Sequence, residues 1–567
     1  MTRIIKPLAL ELEKFMRVFK KRRLRRSLQI ACSVFVLVVA VIYPSIGKAQ
    51  TAKSSSVCAP LAAGSIVQNP PEIRNPDVSN PANFTVVNIA PDKNCYQANG
   101  NLEAPTLRLS PGKEDLLLRL TNRLTGQSVP VSQQTLCVGG MPPPNSTNLH
   151  YHGLNVPPTC HQDEVVKTVV KPNESFEYNI KIPNKETPGL YWYHPHVHMH
   201  SEDQVLSGLT GAIIVEGIGK YNSQAAQLPE RVLVLRDMNL SKNFPDSDKA
   251  KPEKDISINS VPIRYLGNGK YDQPAIIKME PNQQQFWRVA NTAADTYFDL
   301  QVQYDGVAVP LELVAMDGVP ISVDGLPLNY TKFVNHILLP PAGRAEFIIK
   351  APGVNVKNAA FLTLNYDTGT DGDNDPTRTI ARIDTQAQTT AKVSNATVEF
   401  PELGVNLNQI SGDRFSELSQ NTPTQQRTLY FSETDPNVTP SEFYITVLGN
   451  KPKVYDPDVI DITVREGTTE DWIIENRSQE AHAFHIHQIH FLVLESPDAS
   501  EIGMMRDTIS VPSWNGDSKT PYPSVKLRMD FRGAQKDTSI AGTFVYHCHI
   551  LEHEDGGMMG TIQIQPL

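Results

Sequence analysis

Long helical periodicity is scarce in this 567-residue chain after residue 50, which argues against an α-helical bundle. A basic excess is missing too. Lys and Arg number 52 against 61 Asp and Glu, a formal net charge of −9, and a surface of that sign repels nucleic acid. There is no evident internal repeat. Methionine numbers only 12, with no methionine-rich run ahead of His553. Cysteine is sparse at six residues, too few for a chain stapled mainly by disulfides.

One long apolar run is present, and it lies near the start. The basic stretch "KKRRLRR" (20–26) is followed by "LQIACSVFVLVVAVIYPSIG" and then by "GKA" before Gln50. Basic region, apolar region and small-residue site, in that order, read as an export signal over 1–49 cut near Ala49; an uncleaved segment would serve as a membrane anchor. These residues carry eleven Lys/Arg and two Asp/Glu, so the chain without them has a net charge of −18. Export implies oxidising surroundings, in which Cys58, Cys95, Cys137 and Cys160 can form two disulfides. Three connectivities are open, and the short loops Cys58–Cys95 and Cys137–Cys160 are preferred.

The rest is too long for one hydrophobic core, and the length suggests about two to four domains. Short runs rich in Val, Ile, Phe and Tyr recur, such as "RVLVLRDM" (231–238), "QFWRVAN" (285–291), "AEFIIKAP" (345–352) and "DWIIEN" (471–476). Many of the 44 prolines and 33 glycines punctuate them. This is the pattern of β-sandwiches or barrels. Two low-information stretches divide the chain into domains at 58–220, 225–390 and 425–567, with a linker over 391–424.

The chemistry is concentrated in histidine. Of fifteen histidines, eight fall into four His-x-His pairs: His150/His152, His194/His196, His485/His487 and His547/His549. Residues i and i+2 of a strand share a face, so each pair presents two imidazoles side by side. Two pairs belong to the first domain and two to the third, which locates a shared cluster between them. Eight converging imidazoles suit several borderline metal ions. In "HCHILEHEDGGMM" (547–559), Cys548 must face away from its two histidine neighbours, toward a second site. His482, His553 and Met558 are available there, and two histidines, a thiolate and a weak axial thioether make an electron-transfer copper site.

At these residues the chain resembles the multicopper oxidases, the family of laccases, bilirubin oxidases and bacterial cuprous oxidases. The motifs that carry the likeness are "HYHG", "WYHPHVHMHSEDQVLSGLTG", "HAFHIHQIHF" and "HCHILEHEDGGMM", with weaker echoes in "RDTISVP" (506–512) and "PPAGRAEFII" (340–349). The resemblance implies an all-β fold of three cupredoxin-like Greek-key β-sandwich domains and four copper ions. The type 1 ion would take His482, Cys548, His553 and Met558. The type 2 ion would take His150 and His485. One type 3 ion would take His152, His194 and His549, and the other His196, His487 and His547. Ala483 and Gln488 stand where the family commonly has proline and glycine.

The export signal implies a periplasmic or extracellular protein, taken to be a monomer, and the resemblance implies that it takes electrons from a small-molecule or metal-ion reductant. Phenols and aromatic amines are the favoured donors. Electrons would pass through Cys548 to His547 and His549, and dioxygen would be reduced to water at the three-copper cluster. Glu554 and Asp163 match positions of acids that supply protons. A copper nitrite reductase lacks the type 3 pair, and four complete His-x-His pairs argue against it. Metal-ion oxidation, or copper binding without turnover, is the alternative function. His198 and His200 are expected to be supporting or surface groups and His490 to pack on a strand; His161 and His336 carry no signal.

Overall fold

The short β-branched and aromatic runs fold into strands that bury alternate residues. Ala82–Ala90 and Leu116–Arg123 show this pattern, with Phe84, Val86, Leu118 and Leu120 turned into a core. The computed structural model describes residues 58, 61–90, 93–112, 115–124, 137–245, 247–322, 328–385, 414–415, 417–434, 441–533 and 538–567. The expected export segment and most of the expected linker lie outside these residues. Among the described residues, no helix is long and apolar enough to cross a membrane.

Residues Ser56–Ser432 and Phe443–Leu567 form one compact unit. Outside it, the Glu442 amide donates to Thr434 Oγ1 at 3.0 Å. The large unit contains three sandwiches, each with its own core. In the first, a five-stranded sheet runs Glu72–Arg74, Thr106–Leu109, Gly211–Val215, Gly189–His194, His150–His152, and a second five-stranded sheet is centred on Ala82–Ala90. In the second, sheets built around Gln284–Asn291 and Ala359–Leu364 enclose Trp287 and Phe361. In the third, a sheet centred on Thr469–Asn476 and Ser524–Asp530 faces one ordered Ile462–Arg465, Met559–Gln565, Gly542–Cys548, His482–Ile486, Thr508–Val511. Neighbouring strands are often distant in sequence, as Greek-key connections require.

The sandwiches are joined by packing and by buried charge. Leu190, Ala212 and Ile214 of the first domain share a buried cluster with Val232, Val234 and Ala290 of the second. Beside it, Arg108 reaches Glu230, Arg288 pairs with both Glu230 and Glu346, and Glu346 accepts the Leu190 amide at 2.5 Å. Both preferred disulfides, Cys58–Cys95 and Cys137–Cys160, are formed. They span 37 and 23 residues, and restricting the unfolded chain this way contributes on the order of 3–4 kcal/mol each. Part of the expected linker is anchored: Phe415 and Leu418 are buried with Val319, Leu492 and Met505, and Arg414 pairs with buried Glu186 at 2.9 Å.

Candidate metal centres

Register brings the histidine motifs together. His150–His152 pairs antiparallel with Gly189–His194, setting His150 opposite His194. His482–Ile486 pairs antiparallel with Gly542–Cys548, setting His485 opposite His547 and Phe484 opposite Cys548. These two strand pairs meet across the seam between the first and third domains. There the His150 and His487 rings stack at 3.9 Å between centroids, and so do those of His152 and His485. The Nε2 atom of His547 lies 3.3 Å from His196 Nε2 and 3.2 Å from His487 Nε2. His549 completes the cluster, 5.1 Å from His152 and 5.3 Å from His194 between ring centroids.

All eight imidazoles are buried. Burial itself pushes the pKa values of His152, His194, His485, His487 and His549 well below the ordinary range and that of His196 down to about 4; neighbouring imidazoles push the same way. In several rings one nitrogen is anchored and the other faces the cluster without a partner. His150 Nδ1 lies 3.0 Å from both Asp163 oxygens, His194 Nδ1 lies 3.0 Å from Pro195 O, and His485 Nδ1 lies 2.8 Å from Asp507 O. Their Nε2 atoms have no hydrogen-bond partner. Buried, unpaired nitrogens fixed by contacts behind the ring are what a metal ligand needs.

On the other face of the Cys548 strand, Cys548 Sγ lies 3.6 Å from His482 Nδ1 and 3.7 Å from His553 Nδ1, and the two Nδ1 atoms are 3.1 Å apart. Met558 is fully buried in the same core, and its carbonyl accepts the Cys548 amide at 3.1 Å. Behind the rings, His482 Nε2 meets Ser478 Oγ at 2.6 Å and His553 Nε2 meets Glu480 Oε2 at 3.3 Å. Burial would lower the His553 pKa, but the Glu480 carboxylate and Cys548 together outweigh it and hold this ring well above its usual range. Two imidazoles, a thiol and a thioether fit copper. The eight imidazoles thus lie in one group and His482, Cys548 and His553 in another, with Met558 buried in the core around the second.

The two expected acids lie in different settings. Glu554 is fully buried, with Oε2 3.0 Å from His547 Nδ1 and Oε1 3.6 Å from His196 Nε2, and neither oxygen makes a well-aligned hydrogen bond. Burial raises its pKa, but attraction to His196 and His547 prevails and holds it below the usual carboxylate range. Asp163 is committed: besides His150, it accepts the Tyr151 amide at 2.9 Å and Gln488 Nε2 at 2.6 Å. Gln488 has a left-handed backbone, φ +58°, which explains why glycine is common there. The strain costs a side chain about 1 kcal/mol, and the bond to Asp163 offsets it. His490 is buried, its Nε2 2.8 Å from Asp317 O, whereas His336 is exposed and paired with Asp299 at 2.7 Å. His198 is half-buried against Tyr455.

Sequence reasoning missed Asp507. Its carboxylate receives two hydrogen bonds from Arg344 of the second domain, Nη1 to Oδ1 at 2.6 Å and Nη2 to Oδ2 at 2.5 Å. The same Oδ1 lies 3.4 Å from His152 Nε2. Arg344 and Asp507 sit inside the two echoes "PPAGRAEFII" and "RDTISVP", which carried the only signal. Gly153 belongs to this contact: its φ is +88°, and a Cβ there would lie 2.6 Å from Arg344 Nη2 and 2.7 Å from Asp507 Oδ2. That explains the glycine of "HYHG".

Comparison with known proteins follows the same lines. A family model described as multicopper oxidase matches residues 420–567, and a second of the same description matches 141–219. The chain is 26% identical over 481 residues to a multicopper oxidase of Staphylococcus haemolyticus, covering 82% of this chain and 83% of that one. It is 26% identical over 403 residues to a laccase of Bacillus subtilis, covering 67% and 72%. The structure of a Campylobacter jejuni multicopper oxidase, described as a metallo-oxidase, superimposes with a TM-score of 0.61 at 25% identity, over 89% of this chain and 96% of that one.

The Arg344–Asp507 pair yields a measurable consequence. Burial pushes the Asp507 pKa up to about 6 although Arg344 pulls it down. Arg344→Met leaves this carboxylate buried and unpaired, and should lower the unfolding free energy of the metal-free protein by about 3–5 kcal/mol near pH 8. Without Arg344 the folded-state pKa rises further above the unfolded value. The variant therefore retains more stability at pH 5, where Asp507 is protonated, and loses it as pH rises. Denaturant titrations at both pH values check this; a loss below about 1 kcal/mol at pH 8 would show that the pair does not hold the seam.

Proposed function

The chain belongs to the multicopper oxidase family, copper-binding oxidoreductases that use dioxygen and a reductant, and from that premise we propose that it oxidises phenols and aromatic amines one electron at a time and reduces dioxygen to water. The observation that carries this reading is the split of the 547–549 segment. Cys548 turns to His482 and His553, while His547 and His549 join the eight-histidine cluster. Bound copper would supply one-electron oxidation at the first group and four-electron reduction of dioxygen at the second. The proposed ligands are His482, Cys548, His553 and Met558 for type 1, His150 and His485 for type 2, and the triads His152/His194/His549 and His196/His487/His547 for the type 3 pair.

The protein's own groups have definable tasks. Two peptide links join Cys548 to cluster histidines, a short covalent path between the two groups. Ser478 and Glu480 fix the rings of His482 and His553 from behind. Glu554, whose oxygens face His547 Nδ1 and His196 Nε2 at the cluster, is the proposed carrier of protons. Asp163, with its oxygens committed to His150, Tyr151 and Gln488, better fits the task of orienting His150. The two disulfides support function outside the cytoplasm.

Oxygen uptake by the copper-loaded protein tests the reading, with phenolic and aromatic amine donors, bilirubin, Cu(I), Fe(II) and Mn(II) offered in parallel and Cys548→Ser as the blank. Turnover of the organic donors is expected. Turnover confined to a metal ion would replace this donor class with metal oxidation, and uptake no greater than the blank would leave copper binding alone. Glu554→Gln should slow oxygen reduction on the order of 100-fold and leave the blue colour of the Cys548 site intact; unchanged turnover would remove the proton role. Met558→Leu should raise the potential of that site, and a redox titration showing a lower or equal value would count against the axial assignment.

A further inference from the structure

The turn that carries His553 and Glu554 is the short helix Leu551–Asp555, and five residues cannot hold a helix by themselves. Its own flank offers no side-chain cap, so its first amide groups need acceptors from elsewhere. They find them in the second domain. The Leu551 amide donates to Ala294 O at 3.0 Å, and the Glu552 amide donates to Asp295 Oδ1 at 3.3 Å. Asp295 is fixed in turn: Lys254 Nζ meets its other oxygen, and its own amide donates to Asp237 Oδ2 at 2.9 Å. Lys254 also faces Glu202 Oε1 of the first domain at 3.7 Å.

The far end of the helix repeats the device. Asp555 accepts the Ser201 and Glu202 amides, at 3.3 and 2.9 Å, where the helix Ser201–Leu206 begins without a side-chain cap of its own. Between these polar contacts Val205, Leu206, Ala294 and Leu551 share a buried apolar cluster. Each short helix therefore has its free amides satisfied by a different domain.

We propose that Asp295, held by Lys254, is a positioning residue for the Cys548 metal site: the second domain, which donates no ligand, sets the position of His553 by capping the ligand-bearing helix in trans. This rests on the assignment of His553 as a ligand of that site. The role of Asp295 is to accept the Glu552 amide, and the role of Lys254 is to keep that carboxylate aimed and neutralised.

The test compares two double variants that both lack the buried charge pair. K254M/D295N keeps an oxygen for the Glu552 amide; K254M/D295A does not. In metal-free protein, hydrogen exchange at Leu551 and Glu552 should be about fivefold faster in K254M/D295A than in K254M/D295N, the effect of one lost cap. After copper loading, the blue absorption band and the potential of the Cys548 site should shift in K254M/D295A and stay close to wild type in K254M/D295N. Equal exchange, band and potential in the two variants would overturn the proposal. Should K254M/D295A fail to fold, K254M/D295S carries a shorter acceptor and should protect these amides less than K254M/D295N does; exchange no faster than in K254M/D295N overturns the proposal equally. A wild-type protein that loads copper without a blue band would instead overturn the ligand assignment, and the exchange comparison would still decide the capping.

Discussion

A single buried ion pair ties the three domains to one another at the histidine cluster. Arg344 comes from the second domain, Asp507 from the third, and His152, beside the carboxylate, from the first. The neighbouring Asp507 carbonyl holds His485. Arg344 and Asp507 are both fully buried, so neither charge tolerates loss of the other. Gly153 has no side chain because that pair occupies the space a side chain would need. Asp317 extends the same network, accepting from the Arg344 amide and from Arg506 Nε. A cluster shared by two domains demands that they dock in one orientation, and a bidentate, desolvated contact is specific enough to select it.

The cluster is assembled in a form ready for metal. Burial keeps most of its imidazoles neutral, and contacts from Asp163, Pro195 and Asp507 turn free nitrogens inward. The His150 and His487 rings, and the His152 and His485 rings, stack where the two domains meet. The Cys548 group is arranged differently. Its histidines are fixed by Ser478 and Glu480, and its helix is held by the second domain. The second domain, which adds no side chain to either group, thus reaches both, one through Arg344 and one through Asp295.

Much of this was legible from spacing alone. His-x-His pairs in strands must share a face, so eight cluster residues could be named without coordinates. The intervening cysteine had to turn the other way, which separated Cys548 from His547 and His549. The short-loop disulfides followed from sequence proximity. Asp507 was not legible as a cluster residue, because nothing in "RDTISVP" shows that its aspartate meets an arginine 163 positions earlier. Asp163 was legible as an acid near the site, but its commitment to His150 and Gln488 depends on a contact between domains.

What the sequence by itself determined was therefore the grouping of the eight paired histidines and the turning of Cys548 away from them, because strand periodicity is local and the motifs are short. What only the tertiary structure decided was how those side chains are held: which nitrogen of His150, His194, His485, His482 and His553 is anchored, which acid faces His547 and His196, and which domain caps the helix bearing His553. Those outcomes depend on pairing between residues far apart in the chain, through buried hydrogen bonds and ion pairs whose partners are chosen by domain docking, and no local pattern of residues encodes them.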